Sequence, residues 1–172
     1  MSKKTKKDKE LKINNTNLIE FELKAVTDGE IIKVEDIDDP VFSNKIIGDG
    51  YGIIPVGKKL YSPVSGKIEE MASTKHAVYL LTDDKFKLLI HIGVDTIELK
   101  GKGFQTELET GMLIKEGDLL VAFDPDFIRE KGLNPVVSVI ILDQKDRKMD
   151  LNVYLNKKAK ANKSLALKGR IY

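Results

Sequence analysis

Past residue 17 the apolar positions come in short runs, often alternating with polar ones, and Gly, Asp and Lys cut the runs apart. Runs of this length between turn residues predict strands rather than helices. The expected strands are Phe21–Val26, Ile31–Val34, Gly50–Val56, Val64–Met71, Ala77–Leu81, Phe86–Ile92, Leu119–Phe123, Val136–Leu142 and Leu165–Ile171. Helix signals are confined to two places. Asp124 to Gly132 carries an Asp cap, Pro at the first helical position and Gly just past the end, and Pro40–Asn44 is a shorter candidate. The pattern predicts an all-β fold, an antiparallel β-sandwich or flattened barrel with one or two short helices. Ala25–Ile31 and Ser62–Ile68 also echo each other, each ending in Gly, a charged residue and Ile. The echo reads either as pseudo-symmetry of the β core or as ordinary reuse of turn chemistry.

Composition narrows the setting. The 172 residues suffice for one domain with a real core, expected over 18–172, with 1–17 as a flexible basic tail. There is no cysteine, which excludes disulfides, thiol nucleophiles and thiolate zinc sites and fits a reducing compartment. The longest apolar stretch is far short of a membrane span and the N-terminus lacks the apolar core of a secretory signal, so a cytoplasmic protein is expected. The net charge of +2 hides an asymmetry: twelve of the 29 basic residues but only two of the 27 acidic ones lie in 1–17 and 156–172. The intervening body is acidic. It argues against nucleic acid and for a basic protein partner, while the ends read as solvated tails with at most peripheral contact to an anionic membrane.

The only two histidines are His76 and His91. They flank an expected hairpin whose turn, Thr82 to Lys85, is centred on Asp83 and Asp84. That turn pairs Leu81 with Phe86, Tyr79 with Leu88, and His76 with His91. Directly opposed residues share a face with Cβ atoms roughly 4.5–5.5 Å apart, so the two imidazoles are expected to touch. In this register Ala77, Tyr79, Leu81, Phe86, Leu88 and Ile90 form the core face, and His76, Val78, Leu80, Lys87, Leu89 and His91 a shallow docking face. Two imidazoles in contact resist double protonation, so at least one is neutral near pH 7 and available as nucleophile or ligand. A zinc site would need Asp39 or Asp95 to complete the ligands, and it ranks below nucleophilic use of the pair.

Beyond His91 the run Ile-Gly-Val-Asp-Thr-Ile-Glu-Leu-Lys-Gly-Lys-Gly-Phe104 resembles the phosphorylation-site motif of the glucose-class enzyme IIA of the bacterial phosphoenolpyruvate-dependent sugar phosphotransferase system. Thr74-Lys-His-Ala77 resembles that family's second histidine motif, Lys45–Pro55 its Gly-Asp-Gly turn, and Ser62-Pro-Val-Ser-Gly66 a further segment. The resemblance implies a β-sandwich phosphoryl carrier, a phosphotransferase component in sugar transport. It would take a phosphoryl group from phospho-HPr on His91 and pass it to the IIB domain of a sugar permease. It also leaves room for regulatory binding by the unphosphorylated form. By the same resemblance the Gly93 carbonyl would hold His91 Nδ1–H, and Thr74 would hold His76 against the phosphoryl group. Asp39 and Asp95 would meet basic residues of HPr, with Val41, Phe42, Ile46, Val78 and Leu89 as apolar docking residues. No cofactor and no metal are expected, because a phosphoramidate already carries a good leaving group. Lys85 stands where the family's turn usually has Gly, Leu89 where an aromatic is common and Val26 where Pro is frequent.

Two other classes fit less well. Gly111–Val121 resembles a turn-and-strand device of biotinyl and lipoyl carrier domains, but the lysine at a hairpin tip that those require is missing, so the likeness is architectural. A zinc hydrolase would need a carboxylate base and a full ligand set.

Overall fold

Alternating apolar residues and frequent turn residues produce strands throughout the computed structural model, which describes residues 17–172. In chain order the strands are β1 (Ile19–Lys24), β2 (Gly29–Lys33), β3 (Gly48–Pro55), β4 (Lys59–Tyr61), β5 (Gly66–Met71), β6 (Ala77–Thr82) and β7 (Lys87–Ile92). They continue as β8 (Phe104–Gln105), β9 (Leu113–Ile114), β10 (Leu119–Phe123), β11 (Val137–Leu142), β12 (Met149–Val153), β13 (Asn156–Ala159) and β14 (Leu165–Ile171). An eight-stranded sheet runs β13-β2-β3-β11-β7-β6-β5-β9, and two three-stranded sheets run β1-β14-β12 and β4-β10-β8. All pairings are antiparallel. No helix among the described residues is long and apolar enough to cross a membrane.

The large sheet turns one face to the main core, where Ile31, Ile53, Ile68, Leu80, Leu88, Ile90 and Val139 meet Leu23, Leu60, Leu120 and Leu167 of the smaller sheets. Burial of these side chains supplies the principal stabilisation, about 1.5–3 kcal/mol for each large one. On the opposite face Leu89, Ala77, Val136 and Ile140 form a thinner cluster. It is covered by Val34, Ile37 and Phe42 from the segment between β2 and β3.

Both expected helices form from their own capping chemistry. Asp124 accepts from the backbone N–H groups of Asp126 and Phe127 at the head of the helix Pro125–Glu130, and Gly132 follows at φ 76°. Asp39 accepts from Val41 N at the head of the one-turn helix Pro40–Ser43. Each cap meets backbone donors that have no partner within the helix.

Three expectations are corrected. The Gly-Asp-Gly segment is not a turn; it opens β3, and a Cβ on Gly50 would sit 1.9 Å from the Val139 carbonyl oxygen of β11. Residues 156–164 are not a solvated tail, and the expected strand over Leu165–Ile171 is present. The two stretches hold β13 and β14, and β14 lies at the centre of its sheet, with Lys168 paired to Glu22 at 3.2 Å and Arg170 to Glu20 at 3.3 Å. The expected tail over 1–17 lies outside the described residues except for Asn17.

The third correction is the hairpin register. Lys85 adopts φ 69°, and the turn closes with Thr82 N–H donating to the Phe86 carbonyl at 2.9 Å and Lys85 N–H to the Thr82 carbonyl at 3.0 Å. This left-handed residue adds one position to the turn, as in a hairpin loop with a bulge. The ladder therefore pairs Ala77 with His91, Tyr79 with Leu89 and Leu81 with Lys87. A one-residue slip exchanges the faces of a strand. Val78 and Leu80 join Leu88 and Ile90 in the main core, whereas Ala77 shares the His91 side.

Candidate functional site

His91 projects from β7 onto the thin cluster, and the backbone just beyond it sets its tautomer. Gly93 at φ 78° turns its carbonyl back to His91 Nδ1, 2.7 Å away. Since a carbonyl can only accept, Nδ1 carries the proton and Nε2 of the neutral ring keeps its lone pair. Gly93 cannot readily be replaced there: a Cβ would come 2.3 Å from Thr96 Cγ2 and 3.0 Å from the Asn134 carbonyl oxygen. The turn is fixed from both sides, by Gly93 N–H donating to the Val136 carbonyl and Thr96 Oγ1 donating to the Ile92 carbonyl.

His76 reaches the same place by another route. It stands one residue before β6, directly after Lys75 at φ 60°, so strand alternation does not dictate its direction. Its carbonyl accepts from Ile92 N–H at 2.7 Å, and its Nδ1 lies 2.6 Å from Thr74 Oγ1. The two imidazoles meet edge to face with centroids 5.1 Å apart, and Phe42 packs against His91 at 5.5 Å.

Electrostatics keep the pair uncharged. His76 is only 6% exposed, and burial followed by repulsion from His91 pushes its pKa down to about 4. Burial also lowers His91, opposed by the Gly93 carbonyl and by the Asp39 and Asp95 carboxylates. Both rings are therefore neutral near pH 7, and Nε2 of His91 is a free nucleophile. Phosphoryl transfer asks mainly for such positioning.

The remaining predicted residues are arranged unequally. Val41 and Ile46 are 41% and 63% exposed and form an apolar rim. Asp39 heads the helix that carries Phe42, and Asp95, at φ 58°, heads the turn Thr96–Leu99. Phe42 and Leu89 are buried beneath the rim, so they support the surface rather than line it. Val78, 1% exposed, lies in the main core and is no docking residue. Ile97, 61% exposed in the turn after Asp95, and Ser138, directly across from His91, are neighbours that sequence reasoning missed. An apolar residue amid polar ones could have flagged Ile97; nothing local flags Ser138. Among the described residues no three His, Cys, Asp or Glu side chains gather as a metal-binding group, so Asp39 and Asp95 do not complete a ligand set with the histidines.

The fold is shared with glucose permease IIA from Mycoplasma capricolum, with a TM-score of 0.78 and 29% identity over 87% of this chain and 96% of that one. Fold and site together define a class, the β-sandwich proteins of sugar phosphotransfer. The sequence profile of the family described as "phosphoenolpyruvate-dependent sugar phosphotransferase system, EIIA 1" matches residues 21–147, and the chain belongs to this family. The PTS system glucose-specific EIIA component of Staphylococcus aureus (strain Mu50) is 40% identical over 126 residues, 73% of this chain and 75% of that protein. The protein of the same name from Staphylococcus epidermidis (strain RP62A) is 42% identical over 125 residues, with the same coverage. The role of the chain is phosphotransfer within the sugar phosphotransferase system.

Proposed function

We propose that the chain carries a phosphoryl group on Nε2 of His91, taken from the phosphohistidine of HPr and delivered to the IIB domain of a sugar permease at the cytoplasmic side. The observation that carries this reading is the 2.7 Å contact between His91 Nδ1 and the Gly93 carbonyl, which leaves Nε2 as the nucleophilic nitrogen beside a second neutral imidazole. In the step, the Nε2 lone pair forms the new N–P bond in line as the donor's N–P bond breaks. The donor imidazole leaves with that electron pair, and the proton on His91 Nδ1 stays there, hydrogen-bonded to the Gly93 carbonyl. With the Thr74 hydroxyl donating to Nδ1 across their 2.6 Å contact, His76 keeps its proton on Nε2 and donates it to a phosphoryl oxygen. Asp39 and Asp95 supply negative charge at the rim for a basic donor, and Val41, Ile46 and Ile97 supply apolar area.

The test is labelling by phosphoenolpyruvate through the first enzyme and HPr. The wild type should take up one acid-labile, base-stable group, and His91→Ala none. His76→Gln should be labelled yet fail to pass the group to a IIB domain. Undiminished labelling of His91→Ala overturns the assignment.

A further inference from the structure

In the sheet, His91 belongs to a row of directly opposed residues: Ile32 on β2, Gly52 on β3, Ser138 on β11, His91 on β7 and Ala77 beside it. Opposed residues point to one face, so the Ser138 and His91 side chains are neighbours, and they are the only polar ones in the row. Ser138 is 1% exposed and its hydroxyl has no hydrogen-bond partner among the described residues. On the Gly52 side the space is filled by Ile37, whose Cγ1 lies 2.8 Å from where a Gly52 Cβ would be. On the other side His91 Nδ1 is already engaged with Gly93. A buried hydroxyl without a partner is destabilising, and one kept directly across from a histidine calls for an explanation, which a partner present in another state of the site supplies.

We propose that Ser138 is a further phosphoryl-contacting residue, its hydroxyl turning about χ1 to donate a hydrogen bond to a phosphoryl oxygen once His91 is phosphorylated. The inference rests on the His91 reading above. A phosphoryl group brings the anionic acceptor oxygens that the resting row lacks, and hydrogen bonds to such oxygens are stronger than those between neutral groups. No covalent bond changes at Ser138, and the proton stays on Oγ.

The test compares Ser138→Ala with Tyr51→Phe, because the Tyr51 hydroxyl is likewise fully buried but lies in the main core. Ser138→Ala should melt no lower than the wild type, since it loses an unpaired buried group. Only Ser138→Ala should shift the phosphoryl equilibrium with HPr back toward HPr, about tenfold by the usual strength of a charge-assisted hydrogen bond, and shorten the lifetime of the phosphohistidine. A Ser138→Ala equilibrium within about twofold of wild type, or an equal shift in Tyr51→Phe, overturns the proposal. Failure of the wild type to be labelled overturns the His91 reading instead.

Discussion

The two faces of the β6–β7 hairpin, a few ångströms apart, are built to different ends. One carries Val78, Leu80, Leu88 and Ile90, all at most 1% exposed and closed over by the smaller sheets. The other carries Ala77, Leu89 and His91 under a single layer drawn from residues 34–42, with an unpaired hydroxyl and two imidazoles of lowered pKa. The first face holds the hairpin in place. The second leaves polar groups incompletely satisfied, and the fold tolerates them because the first is so well filled.

The comparison breaks most readily at neighbouring leucines. Leu88→Ala should lower unfolding free energy toward the upper part of the ~2–5 kcal/mol range for core truncations, and Leu89→Ala toward the lower part. Urea denaturation decides it. Equal losses would mean that the thin face is as tightly filled as the core.

Next comes pH. His76 ionises near its ordinary value of 6.5 when unfolded and near about 4 when folded. Between those values the unfolded chain holds the extra proton, so stability is full above pH 6.5 and falls as pH drops toward 4. The loss reaches at most about 3 kcal/mol, and the lowered His91 adds in the same direction. His76→Gln should flatten that slope, as measured by denaturation at each pH; an unchanged slope would place the charge penalty elsewhere. Stability curves for Leu88→Ala should keep it.

Gly93→Ala tests the backbone turn on the reactive side. The left-handed φ and the contacts with Thr96 and Asn134 should cost about 1–3 kcal/mol. The same change should loosen the Nδ1 contact, read as a shift in the His91 tautomer by NMR. The smallest effect is expected at the far end of the hairpin, where Lys85→Gly relieves a left-handed residue on an exposed turn and should stabilise by about 1 kcal/mol without touching phosphotransfer. A loss of stability there would contradict the turn geometry.

The fold class, both capped helices and most of the strands were legible in the chain, because alternation and capping are relations between residues a few positions apart. The meeting of the two histidines was also legible, although the register used to infer it was one residue out. Lys85 lengthens the turn, so His91 faces Ala77; the left-handed Lys75 and the Thr74 hydroxyl then bring His76 to it. The misplacement of Val78 follows from that single slip. β12 and β13 were invisible because their lysines and asparagines pair with β14 and β2, and nothing local marks such partners.

What the sequence determined by itself is the inventory and the local chemistry: two imidazoles, a glycine able to turn a carbonyl back toward one of them, a threonine two residues before the other, and caps for the helices. Tertiary structure alone decided which face His91 shares, that Phe42 covers it and that Ser138 stands beside it. Those neighbours come from strands and turns 45 to 50 residues distant in the chain, and their contact depends on how whole sheets pair and fill a core rather than on any short pattern.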